Sequence, residues 1–214
     1  MGFDGWPQSA IGFYEGLEAD NTKAYWTAHQ DVYERDVKAP MVALLAELEE
    51  EFGPGRLFRP YRDTRFSADK TPYKTAVAAM VGTHGYVALS ADGLVAGCGT
   101  YHMGPGQLGR YRAAVDDQSR GAALEEIVAR LRNFGNDVEC VDALKTAPRG
   151  FAKDHPRVEL LRAKGLVAMK AWEPKGWLST PSARDRVAAF LQTAAPLADW
   201  LAEHVGDEEP APAG

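Results

Sequence analysis

The first 55 residues show apolar positions at helical spacing, separated by residues that start or end helices. Ile11, Tyr14 and Leu17 lie three residues apart and predict a short first helix. Thr22 is a suitable N-cap for a second helix, and Pro40 is typical of the first turn of a third. The chain therefore begins with helices.

The pattern changes to strands over residues 76–103. Three short apolar runs, AVAAMVG, YVALSA and LVAGCGTYHM, follow one another there. The dipeptide Asp92-Gly93 separates the second run from the third, and Asp-Gly between apolar runs is a strong hairpin signal. We expect an antiparallel β-meander.

The second half of the chain predicts further helices with two later strands. Ser119 is the expected N-cap of one helix, and Pro196 is expected to divide the last helical stretch in two. Helices, then a meander, then helices indicate an α+β fold, with an antiparallel sheet packed against several helices. We predict a single domain over residues 1–206 and a disordered acidic, proline-containing tail over residues 207–214.

Charge is distributed unevenly along this net-acidic chain. The net charge is −6, and residues 1–55 carry three basic and eleven acidic residues. Residues 56–75 carry six basic and two acidic residues. A protein that coats DNA usually has a broad basic face. The local excess therefore favours a small anionic ligand over a long polyanion.

The sequence RPYRDTRFSADKTPYK, residues 59–74, contains most of this positive charge, and we call it the arginine segment. Arginine binds phosphate and carboxylate bidentately, lysine adds a point charge, and tyrosine donates a hydrogen bond. Pro60 and the charges on both sides of an extended chain predict an irregular or edge segment at the rim of a concavity. The candidate ligand-binding residues here are Arg59, Arg62, Asp63, Arg65, Asp69, Lys70, Tyr73 and Lys74.

A second charged segment, residues 151–156, contains Lys153, Asp154 and His155 just before Pro156. Asp154 or His155 can cap the helix that Pro156 opens, and helix N-termini attract anions. Capping alone explains this pattern, and it is the favoured interpretation. If the second charged segment faces the arginine segment, its three charged side chains join the ligand site and His155 is the best acid or base candidate.

The arginine segment closely resembles the signature of a family of bacterial and some fungal proteins catalogued as domain of unknown function 2461. Other stretches are similar to the same family, including NTKAYWTAHQDVYERDVKAPM, YVALSADGLVAGCGTYHM and GFAKDHPRVELLRAKG, so the resemblance covers about residues 10–203. The resemblance implies one small α+β domain. It implies no reaction, ligand or catalytic residue.

Other patterns narrow the expected class of protein. No apolar run is long enough to span a bilayer, so we expect no membrane partner. The two cysteines lack CxxC spacing, which favours a cytoplasmic location, and the alanine- and glycine-rich composition is compatible with a bacterial source. The histidine and cysteine spacing predicts no metal site, and we expect no cofactor.

Three functions are compatible with the sequence. The first is binding of a small phosphate- or carboxylate-bearing ligand by the arginine segment, with or without catalysis. The second is nucleic-acid binding, with Tyr61, Phe66 and Tyr73 as stacking platforms among the cations. The third is a structural or interaction protein in which the cations belong to an internal ion-pair network. The sequence assigns no oligomeric state.

Overall fold

The computed structural model describes residues 2–63, 65 and 68–206. Among these residues six strands form one sheet. They are β1 (Gly55–Leu57), β2 (Ala76–Val81), β3 (Gly85–Ser90), β4 (Gly93–Thr100), β5 (Asp137–Val141) and β6 (Gly165–Trp172). The sheet is antiparallel, and its strand order is β1-β2-β3-β4-β6-β5.

Helices make up most of the remaining described chain, and the predicted α+β class is confirmed. The α-helices are α1 (Gln8–Ala19), α2 (Lys23–Ala28), α3 (Gln30–Val32), α4 (Ala39–Phe52), α5 (Pro105–Asp116), α6 (Gln118–Asn133), α7 (Val158–Arg162) and α8 (Ser182–His204). Tyr33–Lys38 form a π-helix, and Gly176–Ser179 form a 3-10 helix. None of the helices in the described ranges is long and apolar enough to cross a membrane.

The predicted meander is confirmed by β2, β3 and β4. Strands β2 and β3 pair from Ala76 opposite Ser90 to Val81 opposite Gly85. Gly93 has a φ of 115°, and a Cβ atom there would lie 2.3 Å from the carbonyl oxygen of Trp172. The Asp-Gly turn therefore requires glycine for both its backbone angle and its close packing.

The chain divides into two compact units by its contacts. The first unit comprises Met1–Ala96 with Ala171–Phe190, and the second comprises Gly97–Lys170 with Leu191–Gly214. The prediction of a single domain over residues 1–206 stays a prediction, and the predicted tail, residues 207–214, lies outside the described residues.

In the first unit, α4 packs against β1 and β2, and α1 packs against the π-helix. Trp6, Leu44 and Leu89 are fully buried in its core. The indole of Trp6 donates to the carbonyl oxygen of Val37, 3.2 Å away, and so ties the N-terminal segment to the π-helix.

In the second unit, α5 packs against α6 and α7, and both α6 and α7 pack against β5. Tyr111, Leu124 and Leu161 are fully buried there. The Tyr111 hydroxyl donates to the carbonyl oxygen of Leu160, 3.1 Å away, so this buried phenol has a hydrogen-bond partner.

Three predicted helix boundaries differ from the structure. Pro40 starts no new helix, because the π-helix continues directly into α4. Proline has no N–H to donate, and the backbone responds with a π-turn in which Ala39 donates to Glu34. The cap of α6 is Asp117, whose carboxylate accepts from the N–H groups of Ser119 and Arg120. Pro196 lies inside an unbroken α8.

Candidate functional site

The ends of the arginine segment pair with each other and form a short antiparallel ribbon. Tyr61 and Tyr73 face each other in an isolated β-bridge. The N–H of Arg62 donates to Pro72 at 2.9 Å, and the N–H of Lys74 donates to Pro60 at 2.8 Å. The predicted irregular edge segment is thus a ribbon with a loop at its tip.

Two of the predicted arginines bind carboxylates of the same loop. Arg65 donates to both oxygens of Asp63, at 3.0 and 2.7 Å. Arg62 binds Asp69 and also donates to the Thr71 hydroxyl at 2.6 Å. These four charged side chains therefore form two ion pairs within the loop.

Hydrogen bonds from Thr71 stabilise the ionised form of Asp69 at the loop tip. The N–H and hydroxyl of Thr71 donate to one carboxylate oxygen at 2.9 and 2.8 Å, and Arg62 binds the other. These hydrogen bonds lower the pKa of Asp69 to about 2. Those from Thr71 contribute most, and the one from Arg62 contributes less. The pKa of Asp63 is also lowered, first by Arg65 and to a smaller extent by Arg59.

Tyr73 lies in a stack of aromatic rings. Its ring is parallel to that of Trp26, with centroids 4.3 Å apart and an interplanar angle of 3°. The Asn21 side chain holds the Tyr73 backbone through two hydrogen bonds, at 3.0 and 3.1 Å. Tyr73 is 5% exposed, and burial raises the pKa of its hydroxyl. Tyr73 therefore supports the ring of Trp26 through this stacking.

A cavity of about 380 Å³ lies next to this stack. One wall carries a helix stripe of Trp26, Gln30, Glu34 and Lys38, spaced four residues apart, together with Tyr33; the other wall is the continuous run Leu57–Tyr61. The residues of the stripe come from α2, α3 and the π-helix, which follow one another along the chain with His29 between α2 and α3. Ligand pockets in proteins commonly have about this volume.

Arg59 is the predicted ligand-binding residue that lies in the cavity lining. Among the described residues it forms no hydrogen bond or ion pair. The other cation of the lining, Lys38, is 2.6 Å from Glu34 on the same helix stripe. Since Glu34 is paired with Lys38, no carboxylate of the lining pairs with Arg59, whose charge acts on Asp63 outside the lining.

Tyr33 supplies a hydroxyl donor to the same cavity. Burial, followed by the charges of Glu34 and Tyr61, raises the pKa of Tyr33 to about 12. The hydroxyl is therefore protonated at neutral pH, and within the described residues no hydrogen bond involves it. A protonated phenol in the same lining as an arginine is a suitable donor for an anion.

The remaining two predicted residues of the arginine segment lie at different depths. Lys70 is exposed in the loop, and Lys74 is half-buried. The Lys74 ammonium lies 5.4 Å from the ring centroid of Phe58, whose ring also has the Arg56 guanidinium at 5.3 Å. Lys74 thus contributes a cation–π contact to the ribbon.

The second charged segment lies in the second unit and binds elements of that unit. His155 accepts from the N–H of Arg157 at 3.0 Å through Nδ1, and its Nε2 lies 3.2 Å from Asp116. The helix itself, α7, begins at Val158 with Arg157 as its N-cap and without a side-chain cap hydrogen bond, so the structure differs from the predicted capping by Asp154 or His155. Lys153 and Asp154 are exposed. The hypothesis that these residues join the ligand site stays a prediction.

Arg157, which the sequence analysis did not single out, fixes this part of the second unit. It donates to the carbonyl oxygens of Val115, at 2.7 Å, and Asp117, at 3.1 Å, where α5 ends. Gly121 makes room for it, because a Cβ atom there would lie 2.4 Å from the Arg157 Nε.

The cavity residues of the helix stripe were also missed, although the sequence contained a signal for them. Trp26, Gln30, Glu34 and Lys38 recur every four residues, next to the aromatic residues Tyr25, His29 and Tyr33. In the structure Tyr25 and His29 stack on each other, with centroids 4.0 Å apart. The stripe could have been found by following the polar residues as well as the aromatic ones.

The chain matches the family model described as "Conserved hypothetical protein (DUF2461)" over residues 9–200. It belongs to this family. The match to DUF2461 includes both the arginine segment and the second charged segment, and it confirms the resemblance. No curated protein matches the chain. Because the DUF2461 description gives no ligand and no reaction, a functional argument for this member depends on the cavity.

Within the described ranges, no three histidine, cysteine, aspartate or glutamate side chains group closely enough to hold a metal ion. The residues that could contact a ligand in the first unit are those of the cavity lining. Their chemistry is one guanidinium without a carboxylate partner in the lining, one ion pair, one amide and several aromatic rings.

Proposed function

We propose that this protein binds a small phosphate- or carboxylate-bearing ligand in the cavity between the helix stripe and Leu57–Tyr61. The observation that carries the proposal is Arg59, a cation of the lining without a carboxylate partner among the described residues. An arginine in a partly apolar cavity can bind an anion through two parallel hydrogen bonds.

The rest of the lining supports an anion bound to a flat or apolar group. The Tyr33 hydroxyl and the Gln30 amide offer hydrogen bonds to the anion or to its neighbours. Tyr61 is 51% exposed and presents a ring on which part of the ligand can lie. The proposal assigns binding and no reaction.

The proposal differs from the sequence-based expectation in the residue that holds the anion. Arg62 and Arg65 are bound to Asp69 and Asp63, which supports a structural role for the loop tip. That is the ion-pair alternative, applied to the loop tip.

Nucleic-acid binding stays a prediction, as does the bacterial source. We also propose a cytoplasmic location, which the free thiols of Cys98 and Cys140 support.

The test is calorimetric titration of the wild-type protein and two matched variants with a panel of phosphorylated and carboxylated metabolites. Arg59→Ala is expected to weaken binding of the best ligand by about 10- to 100-fold, the usual value of a charge-assisted hydrogen-bonded pair. Arg65→Ala removes the same charge outside the cavity lining, from an exposed ion pair with Asp63. The affinity for the ligand should therefore stay within about twofold of wild type. No binding across the panel, or equal losses in both variants, would refute the proposal.

A further inference from the structure

Two cations outside the cavity lining contact one residue of that lining. The Arg56 guanidinium lies 5.3 Å from the ring centroid of Phe58, and the Lys74 ammonium lies 5.4 Å from the same centroid. Phe58 belongs to the continuous run that forms one wall of the cavity. The two charges therefore lie beside this wall, no farther apart than the sum of the two distances. We call Arg56, Phe58 and Lys74 the ring site.

Pairing of the main chain explains why these three side chains meet. Arg56 pairs with β2, and the Phe58 N–H donates to the carbonyl oxygen of Ala78 at 2.9 Å, so the chain stays extended between them. Side chains two residues apart in an extended chain lie on the same face. The Lys74 N–H donates to the carbonyl oxygen of Pro60 at 2.8 Å, which holds Lys74 close to Phe58.

Neither cation of the ring site has a carboxylate partner among the described residues. Arg56 is exposed and Lys74 is half-buried, so both are accessible to a ligand. The arginine segment contains two aspartates, and these are already bound by Arg62 and Arg65. The segment therefore has no further carboxylate to neutralise the ring site.

Contact with the Phe58 ring positions the two cations without neutralising them. The ring attracts a cation through its quadrupole, and at an exposed site this attraction is weaker than a charge-assisted hydrogen bond. Long cationic side chains lose rotamer freedom when they bind a ligand, and a contact made beforehand reduces that loss. The ring site therefore offers two positioned charges to an anion.

The cavity lining and the ring site adjoin each other in the chain, because Arg59 directly follows Phe58. In the part of the chain that the structure describes, Arg56, Arg59 and Lys74 all lack a carboxylate partner. A ligand with a single anionic group at Arg59 leaves the charge of the ring site uncompensated. A ligand with a second anionic group compensates it, which is the complementarity that charged binding surfaces require.

From these observations we infer that the ligand carries two anionic groups, phosphates or carboxylates, and that the second of them binds the ring site. Arg56 offers the paired N–H donors of a guanidinium, and Lys74 adds a point charge. The inference rests on the proposed function and narrows its ligand to small molecules with two anionic groups. It also assigns ligand binding to Arg56, which the sequence analysis left out of the candidate site.

The experiment is a calorimetric titration of the protein with pairs of probes of equal chain length. Each pair consists of an alkyl monophosphate and the corresponding alkanediol bisphosphate, in a series of increasing length. We expect at least one bisphosphate to bind the wild-type protein at least about 10-fold more tightly than its monophosphate, the usual gain from a charge-assisted contact.

Three variants test where the second anionic group binds. Arg56→Gln and Lys74→Gln remove the charge and keep an aliphatic stem on Phe58. Each is expected to weaken bisphosphate binding about 10-fold and monophosphate binding less, because only the bisphosphate reaches the ring site. Arg65→Gln is the control. Its ion pair with Asp63 is exposed, so neither affinity should change by more than about twofold.

The outcomes separate this inference from the proposed function. The inference is wrong if no bisphosphate binds more tightly than its monophosphate. It is also wrong if Arg56→Gln and Lys74→Gln bind the bisphosphates as the wild-type protein does, or if Arg65→Gln loses as much affinity as they do. The proposed function then stands as long as Arg59→Ala weakens monophosphate binding. If no probe binds, both fail.

Discussion

Three arginines of the second unit and two arginines of the arginine segment have different main partners. In the second unit, Arg110, Arg112 and Arg157 donate to backbone carbonyl oxygens at the ends of helices, at 2.6, 3.2 and 2.7 Å. In the arginine segment of the first unit, Arg62 and Arg65 bind nearby carboxylates.

This difference shows why a cluster of arginines does not by itself identify a ligand site. The last carbonyl groups of a helix have no intrahelical donor, and a guanidinium can satisfy them. Arg110, Arg112 and Arg157 are thus used for folding. Arg62 and Arg65 instead form exposed pairs with nearby carboxylates. The informative feature is an arginine beside a cavity without a partner among the described residues, as at Arg59.

The largest effect is expected from removing Arg157. Its side chain is 11% exposed, and Arg157→Ala leaves the carbonyl group of Val115 without this donor, whereas the carbonyl group of Asp117 keeps the N–H of Gly121. We expect the free energy of unfolding to fall by about 2 kcal/mol, the cost of leaving one such buried group unpaired. Urea denaturation followed by circular dichroism measures this change.

Arg65→Ala is the matched control for that comparison. Its partner Asp63 is exposed, so the denaturation midpoint should stay at the wild-type value within error. Equal destabilisation by the two substitutions would contradict this difference between Arg157 and Arg65.

A smaller effect concerns the pH dependence of the arginine segment. The folded pKa of Asp69, about 2, lies below the ordinary value for an aspartate, near 3.9. Its stabilising contribution is therefore fully present above about pH 4 and is lost as the pH falls through about 2. NMR titration of the Asp69 carboxyl carbon measures this pKa directly.

Two variants sharpen the Asp69 prediction. Thr71→Val and Arg62→Ala should each raise the pKa of Asp69, because each removes a hydrogen-bond donor to the charged form while the Thr71 N–H remains. A pKa near 3.9 in the wild-type protein would show that the loop-tip hydrogen bonds do not form in solution.

Much of the fold could be predicted because its signals are local. Asp92-Gly93 predicted the hairpin correctly, since an Asp-Gly pair between apolar runs has few alternatives. The effect of Pro196 could not be predicted this way. Leu197 and Leu201 continue a buried apolar stripe beyond it, and their burial can offset the roughly 3 kcal/mol cost of a helical proline.

The candidate site was predictable only in part, because its contacts are distant in sequence. The sequence placed Arg59, Arg62 and Arg65 in one functional segment, but their spacing does not show which of them meets a carboxylate. That depends on the turn that brings Asp69 back to Arg62. The cavity depends on packing between the helix stripe and Leu57–Tyr61. Lys38 and Arg59, which both line the cavity, are more than twenty residues apart in the sequence.

The most direct test of this account is an NMR titration that observes the arginine Nε–Hε signals while phosphate and then citrate are added. The account predicts a saturable shift of the Arg59 signal with at least one anion, while the Arg62 and Arg65 signals stay near their starting positions because Asp69 and Asp63 occupy them. A saturable shift of Arg62 or Arg65, with the Arg59 signal unchanged, would contradict it.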